Sequence, residues 1–147
     1  MSEVKSFLSK EEELEVVEAI RLAEQNTSGE IRVHIEKETS IAPIDRAVEV
    51  FHLLKMENTQ ERNGVLIYVA TLSKQFAICG DQGIHDKVTD AFWDSTKDIM
   101  LQNFKNGNNK QALVEGISKA GEQLKSYFPY QKEDVNELSN EISKGEL

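Results

Sequence analysis

The chain has 147 residues, with 17 basic and 26 acidic side chains, a formal charge of −9, 39% apolar residues and one cysteine. That length suits one domain able to bury roughly two-thirds of its unfolded surface, and the lone cysteine excludes an intrachain disulfide or a Cys-rich zinc site. The charge argues against a nucleic-acid partner; no apolar run approaches the ~18 residues of a membrane span, and Met1-Ser-Glu-Val-Lys5 lacks a secretory core, so a cytoplasmic protein without membrane insertion is expected.

Ser9-Lys-Glu-Glu12 reads as a capping box, and Val16, Val17, Ile20 and Ala23 place one apolar face on the helix it starts. Asn26-Thr-Ser-Gly29 ends that helix. Glu30–Glu36 alternates, with Ile31, Val33 and Ile35 on one face, and reads as a strand whose other face is more polar. After a loop containing Pro43, a helix with Asp45 in its first turn carries Ala47, Val48, Phe51 and Leu54. The polar stretch Glu57–Gly64 leads into Val65-Leu-Ile-Tyr-Val-Ala70, an unbroken apolar run typical of a strand buried on both faces.

Gln75–Cys79 reads as the hairpin partner of that strand, and Gly80-Asp-Gln-Gly83 breaks it. One helix is expected over 87–104 and another over 110–128, stopped by Phe128-Pro129. Residues 131–147 form a polar acidic tail with one marginal turn near Asn136–Ile142. The order α-β-α-β-β-α-α predicts a three-layer α/β/α sandwich around a small mixed sheet of three to four strands, in a domain covering 1–130. A right-handed crossover makes the first two strands parallel and the hairpin makes the third antiparallel. Glu30, Asn63, Gly80 and Asp81 then share one sheet edge, while Asp45 falls at the opposite edge.

The total charge is a poor guide to any ligand, because 13 of the 26 acids lie in residues 1–30 and 131–147, and residues 31–130 are nearly balanced. The local cluster Asp81, Asp86 and Asp90 around a glycine-rich turn is more informative. Acids in a first helical turn are favoured by the helix dipole. A hard cation gives the alternative reading, since Ca²⁺ and Mg²⁺ gather several oxygens from loops. Phosphate-loop, dinucleotide, zinc-protease and serine-elbow motifs are missing from the sequence. Cys79 has no arginine six residues on and sits in a strand, so it is expected in the core. His34 and His52 read as surface or interlayer residues.

Five segments in register carry a resemblance: Thr27-Ser-Gly-Glu-Ile31, Arg62-Asn-Gly-Val-Leu-Ile-Tyr68, Gly80-Asp-Gln-Gly-Ile84, Phe92-Trp93 and Asp134-Val-Asn-Glu-Leu138. Together they resemble the TPM domain family, named for thylakoid-lumen, photosystem II repair and receptor-modulator proteins. The resemblance implies an α/β/α sandwich and divalent-metal binding, commonly Ca²⁺, in acidic loops at one sheet edge. It also implies an acid phosphatase activity, which is ascribed to a plant relative. Asn63-Gly64 matches the family's asparagine-glycine before the central strand, and Thr89-Asp90-Ala91 matches its T-D-A step. Many relatives have a glutamate where this chain has His85, and Asp86 next to it is the replacement. Many also carry an export signal and a membrane helix, so this chain looks like a stand-alone form.

The sequence thus leads to a divalent-cation module, regulatory or interacting with a protein partner, with Glu30, Glu61, Asn63, Asp81, Asp86 and Asp90 as candidate ligands. One or two ions of Ca²⁺ or Mg²⁺ are expected, Ca²⁺ the more readily because loop oxygens satisfy its flexible coordination. The alternative is a metal-assisted phosphatase acting on phosphomonoesters, with Arg62 as the nearest phosphate-binding cation.

Overall fold

The structure, a computed structural model, describes residues 7–130 and 138–145. Helix α1 (Lys10–Glu24) opens with the expected capping box: Ser9 Oγ accepts from Glu12 N and Glu12 Oε1 accepts from Ser9 N. Strand β1 (Glu30–Glu36) leads to α2 (Pro43–Leu53), where proline stands in the first turn and asks for no N–H partner. Strands β2 (Gly64–Ala70) and β3 (Gln75–Gly80) follow as a hairpin. A short helix α3 (Gln82–His85), a 3₁₀ turn (Asp90–Trp93), α4 (Asp94–Lys105) and α5 (Asn109–Lys125) complete the helical part. Strand β4 (Ser143–Lys144) comes last. Among the described residues no helix is long and apolar enough to cross a membrane.

The sheet has the order β3-β2-β1-β4. β1 and β2 are parallel with Glu30 opposite Gly64, and β2 and β3 antiparallel with Val65 opposite Gly80, as the crossover argument requires. Every residue of β2 is buried. Ile31, Val33 and Ile35 of β1 and Val65, Ile67 and Val69 of β2 pack on one face against Val16 and Ile20 of α1, Met100 of α4 and Leu113, Ile117 and Leu124 of α5. On the other face Leu66, Tyr68 and Ala70 pack with Ala77 and Cys79 of β3 against Ala47, Val50 and Phe51 of α2. Two apolar faces therefore demand two helical layers, and the sheet is a filling between them.

Two elements differ from the sequence reading. The single helix over 87–104 is broken: Asp81 caps α3 early through Gln82 N, and Thr89 is extended (φ −88°, ψ 170°) before the chain turns into α4. Asp86 therefore ends α3 and residue 90 opens the 3₁₀ turn, apart from the helix that carries Asp94 and Asp98. In the stretch read as a polar tail, Ser143 and Lys144 pair in parallel with His34 and Ile35 as a fourth strand, and Leu138 packs on the α2 side of the core. The described part of the expected turn, 138–142, is not helical, and Asn136 lies outside the described residues.

The polar face of β1 is also buried. Glu36 accepts two hydrogen bonds from Arg46 of α2 (2.8 and 3.0 Å), one from Tyr68 Oη and one from His34 Nε2 (3.2 Å), and His34 Nδ1 meets Ser143 Oγ at 2.8 Å. Burial alone would raise the Glu36 pKa, but these partners outweigh it and hold the carboxyl below its ordinary value. Burial pushes His34 down, so it stays neutral near pH 7. Truncating Arg46 strands a buried carboxylate. We expect Arg46→Leu to lower stability in urea unfolding by about 3–5 kcal/mol, and the added substitution Glu36→Gln to recover part of that loss.

Candidate metal site at one end of the sheet

Three connections meet where β1 and β2 begin and β3 ends. The turn before β1 is anchored on the chain after α5: Thr27 Oγ1 donates to the Phe128 carbonyl, as does Ser28 N at 2.9 Å, and Thr27 bridges Pro129. The loop before β2 is tied to β1 by Glu30 N donating to Asn63 O at 3.3 Å. The turn after β3 is tied to the same loop by Asp81 N donating to Gly64 O (2.9 Å) and Gly83 N donating to Arg62 O (2.8 Å). Arg62 itself takes a left-handed backbone (φ 51°). A Cβ on residue 83 would lie 2.2 Å from the Glu61 carbonyl oxygen and 2.5 Å from that of Arg62. Only glycine permits this approach, so the glycine turn and the 61–64 loop form one unit.

The candidate side chains fall into separate groups within it. Asp81, 6% exposed, accepts from Arg62 through both oxygens (2.9 and 3.1 Å), and its Oδ1 also accepts from Gln82 N at 2.7 Å. Glu61 accepts from Ser28 Oγ at 2.8 Å, and that hydroxyl accepts from Asn63 Nδ2 at 3.2 Å, giving a chain Glu61–Ser28–Asn63. Asn63 is 1% exposed, and among the described residues its Oδ1 is a buried acceptor without a hydrogen-bond donor. Asp86 is exposed and bonded to Gln82 Nε2 at 2.8 Å, outside both groups. The side chain of Asp90 lies outside the described part of the structure.

Glu30 points into a different environment. It is buried and interacts with Glu24, at the end of α1, whose Oε2 accepts from Ile31 N at 2.9 Å. Loss of solvent, and then the hydrogen bond and charge of Glu30, raise the Glu24 pKa from 4.5 to about 9, so this carboxyl is protonated at neutral pH. Sequence reasoning overlooked Glu24, which looks like one more acid on a solvated helix. The signal lies in its position at the last turn, just before a Thr-Ser-Gly turn that folds the chain back. Ser28 was equally unmarked, and Arg62 was read as a phosphate ligand rather than as the partner of Asp81.

Among the described residues no group of three or more His, Cys, Asp or Glu side chains is placed to share an ion. The donors are all oxygen, the kind a hard cation takes, and among the described residues Asn63 Oδ1 is a buried acceptor left without a donor. The set is assembled in part: Glu61 and Asn63 are joined through Ser28, and Asp81, one backbone hydrogen bond from Gly64, is held by a guanidinium.

This fold and its loops are those of a TPM domain: the family model with that description matches residues 2–123, and the chain belongs to that family. It is similar to the BA42 protein of the psychrophilic bacterium Bizionia argentinensis, solved by NMR, with 58% identity over 99% of this chain and 100% of that one and a TM-score of 0.91. The N-terminal domain of a protein from P. gingivalis, solved by NMR, shares the fold at 17% identity, with TM-score 0.69 over 85% of this chain and 82% of that one. The N-terminal domain of cg2496 from Corynebacterium glutamicum does so at 12% identity, with TM-score 0.64 over 94% and 81%. No curated protein matches the chain.

Two outcomes are expected. Gly83→Ala forces two loops apart and lowers stability by about 1–3 kcal/mol in thermal unfolding. Glu24 binds its proton more tightly in the folded chain than in the unfolded one. The stability it contributes is therefore complete below about pH 4.5 and is lost as pH rises towards 9. Glu24→Gln removes that slope, which urea unfolding at pH 5, 7 and 9 measures.

Proposed function

We propose that this TPM domain is a divalent-cation-responsive module, regulatory or protein-binding, which takes up Ca²⁺ ahead of Mg²⁺ at the end of the sheet where β1 and β2 begin. The observation that carries the reading is Asn63 Oδ1, a buried oxygen left without a donor among the described residues, beside the Glu61–Ser28 pair. Asn63 Oδ1, Glu61 and Asp81 are the oxygens that would hold the ion, and Asp86 on the adjoining turn would add charge from outside. Arg62 is the resident counter-cation. Half exposed, it neutralises Asp81 through two hydrogen bonds and has room to swing into water when another cation takes its place.

A phosphomonoester hydrolase is the second reading, and the half-exposed Arg62 guanidinium favours it, as a group able to bind phosphoryl oxygens. A bound cation would supply Lewis acidity there. Cys79 is no nucleophile for it: the thiol is buried, and loss of solvent followed by the charge of Asp81 pushes it up to about 11.

Thermal melting with CaCl₂ or EDTA, followed by a phosphatase assay under the same conditions, tests both readings. Calcium is expected to stabilise the wild type, by about 2.7 kcal/mol at a hundredfold excess over Kd. Asp81→Asn should reduce that gain and Arg62→Gln should strengthen Ca²⁺ binding by removing the competing cation. No shift in the wild type, or an equal shift in Asp81→Asn, rejects the site. Turnover that needs the metal and disappears in Arg62→Gln favours the hydrolase.

A further inference from the structure

At the opposite end of β2 and β3 lies a cavity of about 460 Å³, a size within the ~300–1,000 Å³ typical of small-molecule sites. Its floor is apolar and largely aromatic. The ring of Phe104, near the end of α4, lies 5.2 Å from that of Phe76 on β3 and 6.2 Å from that of Phe7. Leu101, one turn earlier on α4, extends this surface outwards and is 43% exposed. At Gly107 the backbone is left-handed (φ 77°) and a Cβ would meet nothing within 4 Å, so the chain after α4 leaves that side open.

The charges around the cavity run against those of the protein. In a chain of net charge −9 the described lining contains two lysines, Lys74 and Lys105, and no acid. Both are exposed, and among the described residues neither is within ion-pair distance of a carboxylate. The helix dipole accounts for a lysine in the last turn of α4. It does not account for Lys74, which belongs to the hairpin turn and takes a left-handed backbone (φ 53°).

We propose that this cavity is a binding site for an amphipathic organic monoanion, a medium-chain carboxylate, with its chain on the Phe7–Phe76–Phe104 floor and its head group between Lys74 and Lys105. The apolar floor supplies affinity through area removed from water. The lysines select the sign of the head group. A neutral alcohol of equal length loses the electrostatic part, and a cationic amphiphile of equal length meets repulsion. The site is separate from the candidate metal end and does not depend on it.

The experiment titrates decanoate, decanol and decyltrimethylammonium, each below its micelle concentration, into the full chain in EDTA, and follows backbone amide NMR shifts. Decanoate is expected to give saturable shifts at Phe76, Phe104 and Gly107 and to bind about tenfold or more tightly than the cation. Lys74→Gln with Lys105→Gln should weaken decanoate to the level of decanol, and Lys74→Arg with Lys105→Arg should retain its binding, which separates loss of charge from loss of fold. The proposal is overturned by shifts that do not saturate or that centre elsewhere, by equal affinity for the three probes, or by a decanoate affinity indifferent to the glutamine pair.

Discussion

Every residue of the strand Gly64–Ala70 is buried, and the architecture follows from that constraint. A strand that is apolar on both faces must be covered on both, and one layer of helices cannot do it. α1, α4 and α5 cover the face of Ile31, Val33, Val65, Ile67 and Val69, while α2, joined by Met56 and Leu138, covers the face of Leu66, Tyr68 and Ala70. The smaller layer leaves the outer part of β1 to be closed by other means. A buried polar network centred on Glu36 does so, with Arg46, Tyr68 and His34 meeting the carboxylate. Such a network is a weak source of net stability but a demanding one geometrically, because any missing partner leaves a charge in a poor solvent.

Much of this was legible in the sequence. The apolar run in β2 announced an interior strand, the capping box marked the start of α1, and the handedness of the crossover placed Glu30, Asn63 and Asp81 at one edge and Asp45 at the other. β4 was not legible, because two residues, Ser143 and Lys144, have neither period nor apolar character; their place is set by Ser143 Oγ on His34 and by Gly145 N on Ile35 O. The break between α3 and α4 was hidden for a related reason. The spacing of Asp86, Asp90, Asp94 and Asp98 is helical, but Asp81 starts a short helix through Gln82 N that ends at His85, and the extended Thr89 separates it from α4.

At the candidate site, topology was a better guide than chemistry. It brought the right loops together but could not say which carboxylates would be neutralised within the chain. Asp81 is held by a guanidinium, Glu61 by a serine hydroxyl, and Glu30 shares its surroundings with a protonated Glu24. Acidic residues gathered without an ion repel one another, and each of these partnerships lowers that repulsion locally. Asn63 is the exception: its amide donates to Ser28 while its side-chain oxygen has no donor among the described residues, and an acceptor stranded in this way is invisible until the loops are placed.

The late position of β4 has a consequence for the chain as it is made. Ser143 closes on His34 across 109 residues, so at ~5–20 residues per second the free side of β1 has no strand partner for roughly 5–20 s after His34 has been synthesised. For that interval the sheet can be assembled through β3, β2 and β1 while one edge still offers unsatisfied backbone groups to any neighbouring nascent chain. Residues 143–144 thus serve as an edge guard delivered long after the strand they cover, and the window for aggregation is governed by the translation rate as well as by the stability of the finished fold.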